Sequence, residues 1–385
     1  MTRGGSLGAG IDCPRTGSDI VAPCTMADLS SRFQAHFAPY AARWFDVFCI
    51  HRIMKTQGEI RDWNSVRFDP EDRGGHVESY FLKLNDPEGR RALWIKATIL
   101  ARVRGAAPVA EAWAIAFDRS TDHLGAKEVV PFESARFSPA DLDVRVSDLA
   151  ISAGKIEGSV TSNGRRIEVS LGFTTTSRPL VLFPSARMYE GPIPSSKLVS
   201  PYPDARFTGH YAVDGERVEV AGWRGMQGHN WGKRHTELYA WAHCNSWENE
   251  EDLILEGATA RVKLGPLLVP PLTVLCVWRR GVRYAFNAPR VVLQSRGTVG
   301  MREWTFHAES KLASVEGELA AETRDFVGLH YENPDGAMTY CLNSKIAAGT
   351  LRLAVKGRPP FTANTRAAAL EIGTKDPAHG ISMLL

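Results

Sequence analysis

At 385 residues the chain is long enough for two or three domains of about 100–200 residues, each with its own core. Lys plus Arg number 46 against 43 Asp plus Glu, a formal net charge of +3 with no concentrated basic block, which argues against nucleic acid as a partner. Apolar stretches such as 265–277 contain prolines or fall short of the roughly 18 residues a membrane-spanning helix needs.

Residues 1–25 lack the apolar stretch of a secretory signal and read as a frayed leader. Six cysteines lie far apart with no C-x-x-C pair, which fits reduced thiols of a cytosolic chain and excludes a zinc ribbon. Helical periodicity is convincing only near the start, where Asp28 can cap a segment running to about Phe48. From there on period 2 dominates. Residues 78–85 (ESYFLKLN), a DPEG turn and the apolar run 92–100 form a hairpin signal. In 109–118, Glu111, Trp113, Ile115 and Phe117 alternate with Ala110, Ala112, Ala114 and Ala116, one face bulky and the other bare.

The same order returns about 160 residues later. A strand over 237–247, a charged turn, a strand over 253–263, a Gly265-Pro266 break and a strand over 272–278 repeat the earlier plan. Tyr239, Trp241, His243, Asn245 and Trp247 fall on one face, opposite Ala240, Ala242, Cys244 and Ser246. Residues 191–203 (GPIPSSKLVSPYP) should not continue a strand ladder and mark the boundary between halves. Shorter alternating runs around SNG and NPDG turns complete an all-β pattern of antiparallel strands that closes into barrels or sandwiches. The expected organisation is a leader with the start of a helix over 1–39, one barrel over 40–195 and a second over 200–385.

Chemistry concentrates in residues 225–247 (GMQGHNWGKRHTELYAWAHCNSW). The stripe from Tyr239 to Trp247 mixes aromatic area with hydrogen-bonding tips, as the wall of a pocket for a hydrophobic small molecule would. An ordinary core strand whose polar tips find partners is the alternative. His229, Asn230 and Trp231 lie between Gly228 and Gly232, where they could instead satisfy the amides of a bend. The spacing of His229, His235 and His243 invites a zinc reading, but no carboxylate or cysteine completes a standard set and no metal is expected. The pairs Arg90-Arg91, Arg165-Arg166 and Arg279-Arg280 read as solvated turn ends, with transient docking to a membrane surface as the alternative. Nucleophile elbows, phosphate loops and dinucleotide fingerprints are absent, which disfavours hydrolysis, phosphoryl transfer and nicotinamide chemistry.

Gly228-His229-Asn230-Trp231-Gly232 followed by an aromatic strand resembles the second-half motif of a tandem lipocalin-like superfamily. Its members include carotenoid hydratases (hydroxyneurosporene synthase-like proteins), tocopherol cyclases and fungal Diels–Alderases. The run from Glu78 to Lys83 is similar to the E-G-W-Y-x-K strand of the tocopherol-cyclase relatives, matching at Glu78 and Lys83 and conservatively at Tyr80. The resemblance implies two lipocalin-like barrels and proton-driven or pericyclic chemistry on a lipophilic terpenoid, polyene or polyketide, without a cofactor. Where relatives often carry an aspartate before H-N-W-G, this chain has Gly228. Glu78, His229 and His243 are then the candidate catalytic groups, because a buried carboxyl or imidazole can be tuned toward neutrality. For Glu78 the alternative is a solvated pair with Lys83 or Lys96 at a barrel rim. Tyr80, Trp113, Asn230, Trp231, Tyr239, Trp241, Asn245 and Trp247 are the candidate substrate contacts. A carrier of the same cargo would need the contacts without a proton donor.

Overall fold

A computed structural model describes residues 62–385 except Arg104, Val262, Gly265 and Pro266, so the candidate helix after Asp28 lies outside the described residues. Twelve strands between His76 and Gly232 form one antiparallel sheet, and ten between Leu238 and Thr374 form a second. The helices described are short, Arg187–Glu190 and Pro289–Gln294, and among the described residues none is long and apolar enough to cross a membrane.

The predicted hairpins fall where the alternation places them. The opening strands are His76–Asn85, Arg91–Ala101 and Val109–Asp118, and their counterparts are Leu238–Cys244, Leu253–Arg261 and Leu272–Arg279. The two sheets repeat one plan. In each, the first strand pairs on one side with the second and on the other with the last: His76–Asn85 with Glu216–Gly232, and Leu238–Cys244 with Phe361–Thr374. The first sheet curls until its remote strands meet through side chains, Ser162 Oγ accepting from the Lys127 amide at 2.9 Å and Glu128 from that of Thr161 at 2.6 Å. These are the two tandem lipocalin-like barrels that the motifs imply.

Two sequence readings of the middle of the chain are corrected. Residues 196–213 form a single strand despite Pro201 and Pro203, because bulges between Val199 and Tyr202 and between Tyr202 and Ala205 absorb the missing amide donors. The change of sheet therefore falls between Gly232 and Leu238, beyond the joint expected at 195–200. Nor is the G-H-N-W-G motif a bend: it lies inside the Glu216–Gly232 strand. Its glycines serve close packing, since a Cβ at Gly232 would collide with the backbone at Ser195 and one at Gly228 with the Phe81 ring.

Alternation then decides what each face does. Tyr80, Leu82, Leu84, Ala110, Ala112 and Ala114 point into the first barrel, and Ala240, Ala242 and Cys244 into the second. The bulky faces point the other way, toward each other. Phe81, Trp94, Trp113, Ile115 and Phe117 from the first sheet meet Trp241, Leu329, Tyr331 and Cys341 from the second in a shared seam. Burying each large side chain there contributes about 1.5–3 kcal/mol, so the bulky alternation in both halves is explained by a common interface between them.

Candidate functional site

Glu78 and His229 are brought together, in the first barrel. Pairing of their strands sets Glu78 opposite Trp231 and Tyr80 opposite His229, all on the interior face. Glu78 Oε1 accepts from His229 Nε2 at 2.8 Å, Tyr80 Oη at 3.0 Å and the Arg67 amide at 2.9 Å, while Oε2 pairs with His76 Nε2 at 2.8 Å. Burial opposes ionisation of this carboxyl, yet the hydrogen bonds from His229 and His76 outweigh it and hold its pKa down at about 2. His229 Nδ1 meets the Trp63 carbonyl at 2.6 Å, so both ring nitrogens face oxygen atoms. Tyr80 stacks on it at 4.2 Å. Glu78 does not pair with Lys83 or Lys96 at a rim: five residues from Glu78, Lys83 has opposite strand parity and faces the seam, as does Lys96 opposite Phe81. The carboxyl is enclosed, fully hydrogen-bonded and ionised, and has no proton to give at neutral pH.

His243 lies in the seam and leads to a carboxyl of the opposite kind. It sits directly across the strand pair from Glu256, on the same face. Glu256 Oε1 accepts from Ser200 Oγ at 2.9 Å and from Trp241 Nε1 at 3.2 Å, one donor from each sheet. Its Oε2 is buried and has no hydrogen-bond partner among the described residues. Burial raises this carboxyl to about 7, against the partial relief of those two hydrogen bonds. With both donors on Oε1, the proton belongs on Oε2. His243 Nε2 donates to the Pro203 carbonyl at 2.9 Å, and its buried Nδ1 likewise has no hydrogen-bond partner among the described residues. Burial first, then Lys83, holds the ring well below the usual histidine range, so it is neutral with an acceptor lone pair on Nδ1. An unpaired acid and an unpaired base thus face one way from adjacent strands.

The other candidates separate into distinct settings. Tyr239 and Trp241 line the seam, where Trp241 meets Phe81 edge-on at 5.5 Å. Trp113 lies there too, donating to Glu111 at 3.1 Å, and Asn230 is half-buried on the same sheet. Asn245 is fully used by the protein: it donates to Asp204 and Gly225 and accepts from Lys83 at 3.3 Å, and so joins the sheets rather than reaching for a ligand. Trp247 leaves the stripe. Its strand ends at Cys244, and the chain turns the indole into the second core, where it donates to the Cys244 carbonyl at 3.2 Å. Trp231 packs against Tyr189 beside the Glu78 cluster. The three histidines do not converge, since His229 binds Glu78, His243 binds Pro203 and His235 packs on Tyr331.

Gly228 faces the seam opposite Phe81, and a Cβ there would fall within the Phe81 ring. The Phe81 ring leaves no room for a side chain at this position, and the buried carboxyl of the seam, Glu256, belongs to the second sheet. Sequence reasoning missed Glu256 because the run LILEGATA reads as a buried strand, with no local partner to mark its carboxyl. Its hydrogen-bond partner Ser200 is 56 residues away. The recurrence of the halves was the available signal: Glu256 lies in the counterpart of the strand that holds Lys96, a position that faces the seam in both sheets.

Residues 202–374 match the family model described as tocopherol cyclase-like. An uncharacterized protein of Mycobacterium tuberculosis, Rv0493c, is 26% identical over 280 residues, which cover 71% of this chain and 80% of that protein. Among solved structures, CghA aligns over 81% of this chain and 96% of its own at a TM-score of 0.50 and 10% identity. Kievitone hydratase from Nectria haematococca aligns over 77% and 89% at 0.45 and 10%. The resemblance read from the motifs is thereby upheld: over residues 202–374 the chain matches the tocopherol cyclase-like family, and its paired sheets have the tandem lipocalin-like fold.

Proposed function

We propose that the chain is a hydratase or cyclase that protonates a carbon–carbon double bond of a lipophilic terpenoid, polyene or polyketide between its sheets, with Glu256 as the proton donor. The observation that carries this reading is the Glu256 carboxyl, buried, held near pH 7 and free at Oε2. A general acid works best with a pKa near the operating pH. Transfer of the Oε2 proton to an alkene carbon leaves a cation on the neighbouring carbon, beside the Trp241 ring, whose face stabilises positive charge. Attack by water or by an internal nucleophile closes the reaction, and the proton it sheds has an acceptor in neutral His243 Nδ1, from which Glu256 is recharged. Ser200 and Trp241 orient the acid by holding Oε1. The chemistry needs no cofactor in this scheme.

The test is product analysis in a host strain deleted for the protein and complemented with wild type, Glu256→Gln or Glu78→Gln. Loss of a general acid costs about 10²–10⁴-fold, so Glu256→Gln should accumulate the unreacted lipophile while remaining folded. Full product formation by Glu256→Gln would refute the assignment.

A further inference from the structure

Three buried lysines face the seam, and two of them are matched with oxygen. Lys83 Nζ reaches Asn85 Oδ1 at 3.0 Å, Asn245 Oδ1 at 3.3 Å and the Ala367 carbonyl at 3.5 Å, and Lys345 binds Glu371 at 2.7 Å. Lys96 is 4% exposed and has no hydrogen bond or ion pair among the described residues. It is surrounded instead by rings, its Nζ 3.8 Å from the centre of Tyr331, 5.6 Å from Trp113 and 5.7 Å from Trp94. The nearby carboxylates are committed elsewhere: Glu371 to Lys345, and Glu111 to Lys127 and the Trp113 indole. Ring faces stabilise a cation but accept none of its N–H bonds as an anion would. Burial draws this amine down to about 8 against the more distant pull of Glu371 and Glu111, so at neutral pH it is still mainly an ammonium, with no carboxylate in contact among the described residues. A buried charge in that state is destabilising until a partner supplies the missing one.

We propose that the Lys96 cage is an anion seat, in which the ammonium binds the carboxylate of an amphipathic acid whose apolar chain lies along the seam. The seat and the acid occupy opposite flanks. Tyr331 is on the Val327–Glu332 strand, which pairs with Met338–Val355, then Phe361–Thr374, then the His243 strand, and only beyond that comes the strand of Glu256. A ligand anchored at Lys96 and reaching past the Phe81–Trp241 contact would present a part of its chain far from the carboxylate to Glu256. The exposed side of the cage is closed by Lys127, whose side chain is 25% exposed and rests 4.1 Å over Trp113.

The experiment compares cis-parinaric acid with its methyl ester, read by polyene fluorescence and by energy transfer from tryptophan at neutral pH. Wild type should bind the acid at least about tenfold more tightly than the ester, the scale of one charge-assisted hydrogen bond. Lys96→Met should bring the two affinities together, and Lys96→Arg should keep the acid ahead. Equal binding of acid and ester by wild type, or an undiminished preference in Lys96→Met, would overturn the proposal. If Lys96→Met does not fold, the wild-type pair and Lys96→Arg decide it alone. Binding is read without turnover, so failure here leaves Glu256 as proton donor untouched, and failure of Glu256→Gln to block turnover leaves the seat untouched.

Discussion

A carboxyl held protonated by its surroundings leaves a signature in folding, measurable before any substrate is known. Glu256 is raised from 4.5 to about 7 by burial. The folded chain therefore keeps a proton that the unfolded chain releases between those values, and stability must fall as pH rises through that window. At about 1.36 kcal/mol per pH unit, ionising Glu256 in place costs about 3 kcal/mol. Glu256→Gln removes the titration while its amide oxygen can still accept from Ser200 and Trp241. Urea unfolding of both proteins from pH 5 to pH 8 isolates the effect, because titrating groups remote from Glu256 cancel in the difference. Wild type should lose roughly 2–3 kcal/mol relative to Glu256→Gln across that range, nearly all of it below about pH 7.5. A difference that stays flat with pH would mean that the carboxyl is not held neutral, and the proton-donor argument would fall with it.

Two further outcomes test the neighbouring features. Gly228→Asp forces a side chain into the Phe81 ring and should cost at least about 3 kcal/mol in urea unfolding. Adding Phe81→Ala should recover part of that loss, and a fully stable Gly228→Asp would contradict the packing. Glu78 is held down from 4.5 to about 2, so its contribution is present above about pH 4.5 and is lost as pH falls toward 2. Glu78→Gln should cost about 3 kcal/mol at pH 7 and much less near pH 2, seen as a flatter acid limb in denaturation against pH.

Much of the fold is legible in the chain because strand alternation is a local property. The bulky-and-bare runs at 109–118 and 239–244 can be read residue by residue, and they fall on strands as predicted. What alternation does not say is which side is inside. A pocket wall and an interface both want tryptophan beside polar tips, and only the pairing of distant strands shows that the stripe of Tyr239, Trp241 and His243 faces another sheet. The same holds for chemistry. Glu78 stands out in its motif, but two histidines and a tyrosine fix it as an anion. Glu256 sits unmarked in an apolar run, and its meaning comes from a serine on the other sheet and an indole across the strand pair. Trp247 was misplaced for a simpler reason, a strand that stops at Cys244.

The pairing of first strand with last within each sheet also governs how the molecule can be assembled. Val77 pairs with Gly232 and Tyr239 with Gly373, so each sheet is joined by contacts among the most distant in its sequence, the topology that folds slowly because loop closure precedes its reward. During synthesis the His243 strand emerges long before the Phe361–Thr374 strand that flanks it, and until then it presents an open, hydrogen-bonding edge of aromatic residues. A ribosome-stalled chain ending before residue 361 should be captured by chaperones that bind exposed strands, whereas the completed chain should not.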